Sequence, residues 1–316
     1  MLVRPKDYIV IDNKYYFAVV SEYQEDERAL TWLRYVKDDN VMQKLETGKA
    51  GAIVKEIYPD FVFHSQYADI EVHGIALNLI KKIYYPEEAI DRLLNCSAPD
   101  SIQKDAINFI ELLINAGINK QCLGITGSLM LNTHNSGSDI DMVVYGRENF
   151  FKVRAVIKDL MKSDQLNYLD EEFWQDAYQR RDCSISFEEY QWHESRKFNK
   201  FISGTTKVDV SMIPDKTERV KERGPFNKLG KKRIEAAVID DTFSYDFPAR
   251  YIVEHESINE IVSYTATYTG QVEKEERIEA EGYVEQGSDG KNRLLVGSSR
   301  EATGEYIRVI NEKIIN

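Results

Sequence analysis

The chain has 316 residues, of which 42% are hydrophobic and 30% are charged, and its formal net charge at pH 7 is −12. This length and composition indicate a globular protein of two or three domains, and the negative charge disfavours general coating of nucleic acid. No apolar run approaches the roughly 18 residues that a membrane-spanning helix needs. Because charged residues also interrupt the first 20 residues, where a signal sequence would lie, we expect a cytoplasmic protein with no membrane partner.

Residues 1–85 predict a β-rich module. Apolar and polar side chains alternate in three runs, at residues 8–12, 15–20 and 29–36, which is the pattern of half-buried strands. Asp12 and Asn13 lie between the first two runs and favour a tight turn. The sequence alone assigns no role to this module.

A second module begins at Pro86, because a proline followed by two glutamates is typical of the first turn of a helix. After a further helix, the chain continues as a strand at 122–126, a turn, a strand at 139–145 and another helix. This order predicts an α/β catalytic core with a mixed sheet, which we place at residues 86–235.

The same module contains a predicted helix over residues 186–201. Its start is indicated by Ser186 and Glu189, which have capping-box spacing. At helical spacing the basic residues would form one stripe: His193, Arg196, Lys197 and Lys200. Because this helix leads into the next strand, Arg196 and Lys197 are candidates for neutralising a bound phosphate, and a solvated helix face is the alternative.

Residues 236–316 return to short alternating runs, and five strands there predict a small OB-like β-barrel. The segment 216–233, just before them, contains eight basic residues and two glutamates. It is either a solvated loop and helix face or a contact for anions. The predicted fold class is therefore α+β, with an α/β core between two β-rich modules.

Asp139 and Asp141 are the most informative pair in the sequence. On a strand, residues two apart project from the same face, so these two carboxylates lie side by side in an apolar run. Two carboxylates this close repel each other unless a cation lies between them. Oxygen ligands of this kind suit Mg²⁺, or Mn²⁺ in its place, shared with the phosphates of a nucleotide.

Three further elements extend this site. Gly127 and Ser128 lie where a strand turns into a short helical segment, so their backbone N–H groups can approach a triphosphate. Asp209 is a third carboxylate if its strand pairs beside the Asp139 strand, and three such groups hold two metal ions about 4 Å apart. Lys207 shares the strand face of Asp209 and is another candidate for binding phosphate.

Gly127-Ser128, Asp139-Ile140-Asp141 and the later Asp209 resemble the motif of the DNA polymerase β-type nucleotidyltransferase superfamily. The stretch 124–146 is most similar to archaeal-type predicted nucleotidyltransferases of unknown substrate, and the resemblance covers residues 86–235. It implies metal binding by all three aspartates and a role for Asp209 as the base toward an acceptor hydroxyl. Members often carry arginine and glycine after the Gly-Ser pair, whereas this chain has Leu129 and Met130, so the charge of the triphosphate must be met elsewhere.

The resemblance implies transfer of a nucleoside monophosphate from a nucleoside triphosphate (NTP) to an acceptor hydroxyl, with release of pyrophosphate. The barrel and the basic segment favour RNA or another nucleic-acid end as acceptor, and the overall acidity opposes it. One alternative is a non-catalytic nucleotide or RNA binder that retains the fold. Another is a glycosyltransferase with an Asp-x-Asp metal motif. The identity of the NTP and the oligomeric state are not encoded in any motif.

Overall fold

The computed structural model describes residues 3–39, 41–66, 70–181, 183–220, 225–298 and 303–310. The helices are α1 (Thr47–Ile57), α2 (Pro86–Leu94), α3 (Ser101–Asn115), α4 (Gly127–Leu131), α5 (Arg147–Lys162), α6 (Glu171–Arg181) and α7 (Phe187–Ser195). The strands are β1 (Tyr8–Ile11), β2 (Tyr15–Glu25), β3 (Arg28–Asp38), β4 (Val41–Lys44), β5 (Val62–Ser65), β6 (Ile70–Ala76), β7 (Lys82–Tyr84), β8 (Leu123–Ile125), β9 (Ile140–Tyr145), β10 (Lys200–Ser203), β11 (Thr206–Ile213), β12 (Phe226–Asp240), β13 (Ala249–Glu254), β14 (Glu260–Ser263), β15 (Arg277–Gly287), β16 (Asn292–Val296) and β17 (Tyr306–Val309).

Helices and several sheets occur together, so the predicted α+β class is confirmed. The contacts divide the chain into two compact units: the first contains residues 1–153 and 203–218, and the second contains residues 154–202 and 219–316. None of the helices in the described residues is both long and apolar enough to cross a membrane.

The first sheet is built from the N-terminal strands in the order β5-β6-β3-β2-β1-β7, with β4 paired to β3. Asp12 and Asn13 form the predicted turn between β1 and β2, and both have positive φ angles, of 52° and 53°. The alternation of β1, β2 and β3 turns Ile9, Phe17 and Leu33 into a core that the sheet shares with α1. The three strands predicted for this segment are therefore confirmed.

The second sheet has the order β10-β11-β9-β8. β9 lies between β11 and β8. It runs parallel to β11 and antiparallel to β8. Residues 142–144 of β9 have no exposed surface, as expected for a central strand covered on both faces. This sheet positions the residues predicted to bind a metal.

The third sheet lies in the second unit. Its pairings run from β12 to β13, β14, β16 and β15, and β15 pairs with β12 again, while β17 pairs with the other edge of β15. Only the β14–β16 pairing within this described sheet is parallel. The core between these strands includes Tyr251, Ile261, Ile278 and Leu294, all fully buried.

Two predicted elements differ from the structure. The helix placed at 186–201 begins as expected after the capping box of Ser186 and Glu189, but it ends at Ser195, and the chain passes through a left-handed residue, Phe198, into β10. Residues 226–233 of the basic segment, predicted as loop and helix face, instead belong to the strand β12, and residues 221–224 of the segment lie outside the described residues. The boundary placed at residue 235 lies inside that strand.

Asp7, at the start of the first sheet, makes stability depend on pH. The residue is fully buried; its Oδ2 accepts a hydrogen bond of 2.8 Å from the backbone N–H of Arg4, while Oδ1 has no hydrogen-bond partner among the described residues. Burial raises the pKa of Asp7 from 3.8 to about 7, although Arg4 opposes the shift. The folded protein therefore retains a proton that the unfolded chain has lost.

We expect the contribution of Asp7 to the free energy of unfolding to fall as the pH rises from about 4 to about 7, so that Asp7→Asn becomes more stable relative to the wild type over this range. The sign follows because Asp7 keeps its proton in the folded state and loses it in the unfolded state in this range. Urea unfolding at pH 5 and pH 8 would measure it, with the exposed turn residue Asp26 changed to Asn as the control. Equal pH dependence in Asp7→Asn and the wild type would contradict the assignment.

Candidate active site

The three predicted aspartates come together at one edge of the second sheet. Asp139 is the residue before β9, Asp141 is the second residue of β9, and Asp209 is paired with Asp141 across the parallel ladder of β9 and β11. The residues next to them along the strands are buried: Ile140, Met142, Val208 and Val210. Strand alternation therefore turns the apolar side chains into the core and the carboxylates to the opposite side.

Lys207 lies between two of these carboxylates. Its ammonium Nζ is 3.0 Å from Asp139 Oδ2 and 2.9 Å from Asp209 Oδ2, and its side chain is only 9% exposed. Burial lowers the pKa of Lys207, but the charges of Asp209 and Asp139 outweigh it, so the pKa is raised and the amine is protonated. The prediction that Lys207 lies on the same strand face as Asp209 is confirmed. Its ammonium contacts the carboxylates of Asp139 and Asp209.

Asp141 experiences the repulsion that the sequence pattern implies. The residue keeps some accessible surface, but protein atoms surround its carboxyl group. Burial and the charges of Asp209 and Asp139 together raise the pKa of Asp141 to about 6, against the opposing charges of Lys6 and Lys207. An additional cation at this edge would stabilise the ionised form.

The residues present fit a hard divalent cation. The donor set consists of carboxylate oxygens, which Mg²⁺ and Mn²⁺ prefer, and Oδ1 of Asp209 is buried without a hydrogen-bond partner among the described residues. Among the described residues, no three aspartate, glutamate, histidine or cysteine side chains are close enough together to hold a metal ion as they stand. The Lys207 ammonium takes the position between Asp139 and Asp209.

The Gly127-Ser128 turn packs directly against Asp141. Gly127 has a φ of 66°, and a Cβ atom at this position would lie 2.6 Å from Asp141 Oδ2. The preceding Thr126 donates its backbone N–H to the carbonyl oxygen of Asp141, at 2.9 Å. Ser128 is partly exposed beside this contact, whereas Leu129 and Met130 are buried. Glycine is therefore required both by the backbone conformation and by the closeness of the carboxylate.

Arg196 and Lys197 belong to the second compact unit, and their charges are neutralised there. The Lys197 side chain is 1% exposed; its ammonium binds the carboxylate of Glu194 and donates to the carbonyl oxygen of Thr267, at 2.8 Å. Arg196 pairs with Glu276 at 2.7 Å. The basic stripe predicted along one helix is wrong, because the helix ends before both residues, and these contacts give no support to the predicted role in binding phosphate.

The N-terminal sheet contributes residues that no motif indicated. The hydroxyl of Thr126 donates to the carbonyl oxygen of Lys6 at 2.8 Å, across 120 positions of sequence. Tyr8 and Tyr35 are buried, with ring centroids 6.0 Å apart. Burial raises the pKa of both hydroxyl groups, and the charge of Asp141 raises it further. The aspartate site therefore includes part of the module whose role the sequence left open.

Comparisons with known proteins identify a full-length relative without an assigned activity. No family model matches the chain, and no solved structure matches it. An uncharacterized protein of Methanocaldococcus jannaschii, MJ1086, is 29% identical over 338 residues, covering 98% of this chain and 99% of its own. The similarity therefore extends over nearly the whole length of both chains.

Proposed function

We propose that the protein is a metal-dependent nucleotidyltransferase, which transfers a nucleoside monophosphate from an NTP to an acceptor hydroxyl and releases pyrophosphate. The observation that supports this most directly is the parallel register that sets Asp209 opposite Asp141. Asp139 lies close to Asp209, because the ammonium of Lys207 contacts both carboxylates. The turn at Gly127 lies against the same carboxylates. Three carboxylates and a close backbone turn meet the two needs of phosphoryl transfer, which are charge neutralisation and positioning.

Each residue has a distinct role in this proposal. Asp139, Asp141 and Asp209 hold Mg²⁺ or Mn²⁺, which when bound neutralises the triphosphate and acidifies the acceptor hydroxyl. Asp209 also accepts the proton of that hydroxyl. Gly127 leaves room for the phosphates beside Asp141, and Ser128 contacts them through its backbone N–H. Lys207 reduces the repulsion between Asp139 and Asp209 before the cation arrives.

We further propose that the second sheet is the core of a nucleotidyltransferase fold and that the third sheet is a small OB-like barrel. The order of the strand pairings supports the barrel, because it returns to β12 and contains one parallel pair, β14 with β16. Five strands that pair in this way leave few free edges among them.

The acceptor is proposed as RNA or another nucleic-acid end, and the charges of the third sheet limit this proposal. Lys231 pairs with Glu281 at 3.1 Å and Arg233 binds Glu279, so part of the basic segment is neutralised by the neighbouring strand β15. Lys221 and Arg223 lie outside the described residues. The assay below therefore compares RNA with protein and small-molecule hydroxyl acceptors.

Incubation of the protein with NTPs and Mg²⁺ or Mn²⁺ tests the proposal. We expect the acceptor to gain label placed at the α-phosphorus, with one pyrophosphate released per transfer, and to gain no label placed at the γ-phosphorus. Transfer of the γ-label would instead indicate a kinase and would overturn the assignment.

A non-catalytic nucleotide binder that retains the fold is the second candidate. One observation favours it: Lys207 supplies a permanent positive charge between Asp139 and Asp209, where a catalytic cation would act. Isothermal titration with ATP, run beside the transfer assay, separates the two functions. Binding of ATP without any transfer to the acceptors tested would favour this second candidate.

A further inference from the structure

The helix after the Gly-Ser turn provides no cation for a triphosphate. α4 contains Leu129 and Met130, which are 1% exposed, in the positions that follow Ser128. Lys207 is engaged by two carboxylates, and Arg196 and Lys197 by glutamates of the second unit. If the site binds a nucleoside triphosphate, as proposed above, its phosphate charge must be met by other residues of the first unit.

The N-terminal sheet is attached to the turn at one residue, Thr126. Its hydroxyl donates to the Lys6 carbonyl oxygen at 2.8 Å, and its backbone N–H donates to the Asp141 carbonyl oxygen at 2.9 Å. The Lys6 backbone has a left-handed φ of 75° and is held by a 3.0 Å hydrogen bond from its N–H to Val19. The Lys6 side chain is exposed, and its charge acts on the carboxylate of Asp141.

Arg34, on β3, hydrogen-bonds the hydroxyl group of Tyr8, and its charge acts on both Tyr8 and Tyr35. Tyr8 and Tyr35, 6% and 5% exposed, form a pair of rings whose planes are inclined at 50°. Burial raises the pKa of each tyrosine, Asp141 raises it further, and the charge of Arg34 opposes both effects. The guanidinium of Arg34 and the carboxylate of Asp141 therefore act on the same two hydroxyl groups.

Lys6 and Arg34 also differ from nearby cations in having no acidic partner. Arg4 pairs with Glu87, Lys14 pairs with Asp38 at 2.6 Å, and Lys55 pairs with Glu71 at 2.9 Å. Among the residues that the structure describes, no carboxylate oxygen forms an ion pair with Lys6 or Arg34, and both retain solvent-accessible surface. Two cations near a cluster of carboxylates, without an ion pair of their own among the described residues, have their charge available for a polyanion.

We propose that Lys6 and Arg34 bind the triphosphate of the nucleotide, so that the N-terminal sheet completes the nucleotide site. The hydrogen bonds of Thr126 to the backbone carbonyls of Lys6 and Asp141 fix the backbone of the first residue relative to the metal-binding carboxylates, and the hydrogen bond with Tyr8 holds the second. The triphosphate lies between the Gly127 turn and the N-terminal sheet. Lys6 and Arg34 of that sheet supply the positive charge that α4 lacks. Neither residue changes a covalent bond; both position and neutralise the leaving pyrophosphate.

Binding of inorganic tripolyphosphate in the presence of Mg²⁺ tests this, because the probe has the phosphate charge without the base or sugar. We expect Lys6→Ala and Arg34→Gln each to weaken tripolyphosphate and ATP binding about tenfold, with a much smaller effect on AMP. Lys6→Arg should retain the wild-type affinity. Lys14→Ala is the matched control, since Lys14 is an exposed lysine of the same sheet already paired with Asp38.

The transfer assay and the binding assay test the two proposals separately. Unchanged tripolyphosphate affinity in both variants, with transfer intact in the wild type, would overturn the role of Lys6 and Arg34 alone. Loss of tripolyphosphate binding in the variants, with no transfer by the wild type, would support that role and overturn the proposed activity. Melting temperatures of all variants are measured alongside; should Arg34→Gln unfold, the exposed Lys6 decides the result. A wild type that binds neither polyphosphate would contradict both proposals.

Discussion

Replacing Asp141 with asparagine is expected to abolish nucleotidyl transfer while stabilising the folded protein. The amide cannot supply the negative oxygen that a hard cation prefers, so transfer should fall by roughly 10³-fold or more, the scale seen when one electrostatic stabiliser is removed. The neutral side chain also removes the burial of a charge and the repulsion by Asp209 and Asp139, which together raise the pKa of Asp141 to about 6. We expect a gain of about 1 kcal/mol in the free energy of unfolding without metal.

Transfer rates and urea unfolding of the same preparations would measure both effects. Asp91→Asn is the control, because Asp91 is an exposed carboxylate of the first unit that pairs with Lys120 at 2.7 Å. It should leave transfer unchanged. Transfer by Asp141→Asn at the wild-type rate would show that the reaction does not depend on this carboxylate, and a loss of stability would show that the repulsion has been misjudged.

Replacing Gly127 with alanine is expected to reduce both transfer and stability. The new Cβ would lie 2.6 Å from Asp141 Oδ2, and the residue would keep a φ of 66°. The left-handed conformation alone costs about 1 to 3 kcal/mol for a residue other than glycine. The displacement of Asp141 adds a loss of activity that we estimate at roughly 100-fold, as for other misplaced catalytic groups.

Gly117→Ala separates these two effects. Gly117 has a φ of 89°, but a Cβ atom there would have no heavy atom within 4 Å, so this variant has the conformational strain without the contact. We expect lower stability and full transfer activity for Gly117→Ala, compared in the same assays. If the two alanine variants lost transfer equally, the close approach of Gly127 to Asp141 would not be the cause.

The sequence predicts local structure well where side-chain chemistry acts over a few residues. The turn at Asp12 and Asn13 and the capping box at Ser186 are formed as expected. β9 and β11 are also predicted, because their apolar residues alternate with carboxylates. The predicted site requires these two strands, about 70 residues apart in sequence, to pair in parallel. No local pattern predicts that pairing, and it is seen only in the structure.

The failures have long-range causes. The helix at 186–201 was extended too far because its charges have helical spacing, whereas the buried carboxylate of Glu194 binds both Lys197 and Lys200, and Lys200 begins a strand. β12 resembles a solvated segment because its lysines and arginines are compensated by glutamates of β15, about 50 residues away. The contact of Lys6 with Thr126 has no local signal at all.

The ammonium of Lys207 also bears on the stability of the aspartate site in the absence of a bound cation. A lysine built into β11 offsets part of the negative charge of Asp139 and Asp209 at all times, so the strands that carry them need no dissolved ion to remain together. If the protein is the metal-dependent enzyme proposed above, its fold and its reaction have separate requirements for positive charge, and a shortage of magnesium would stop the reaction without unfolding the chain.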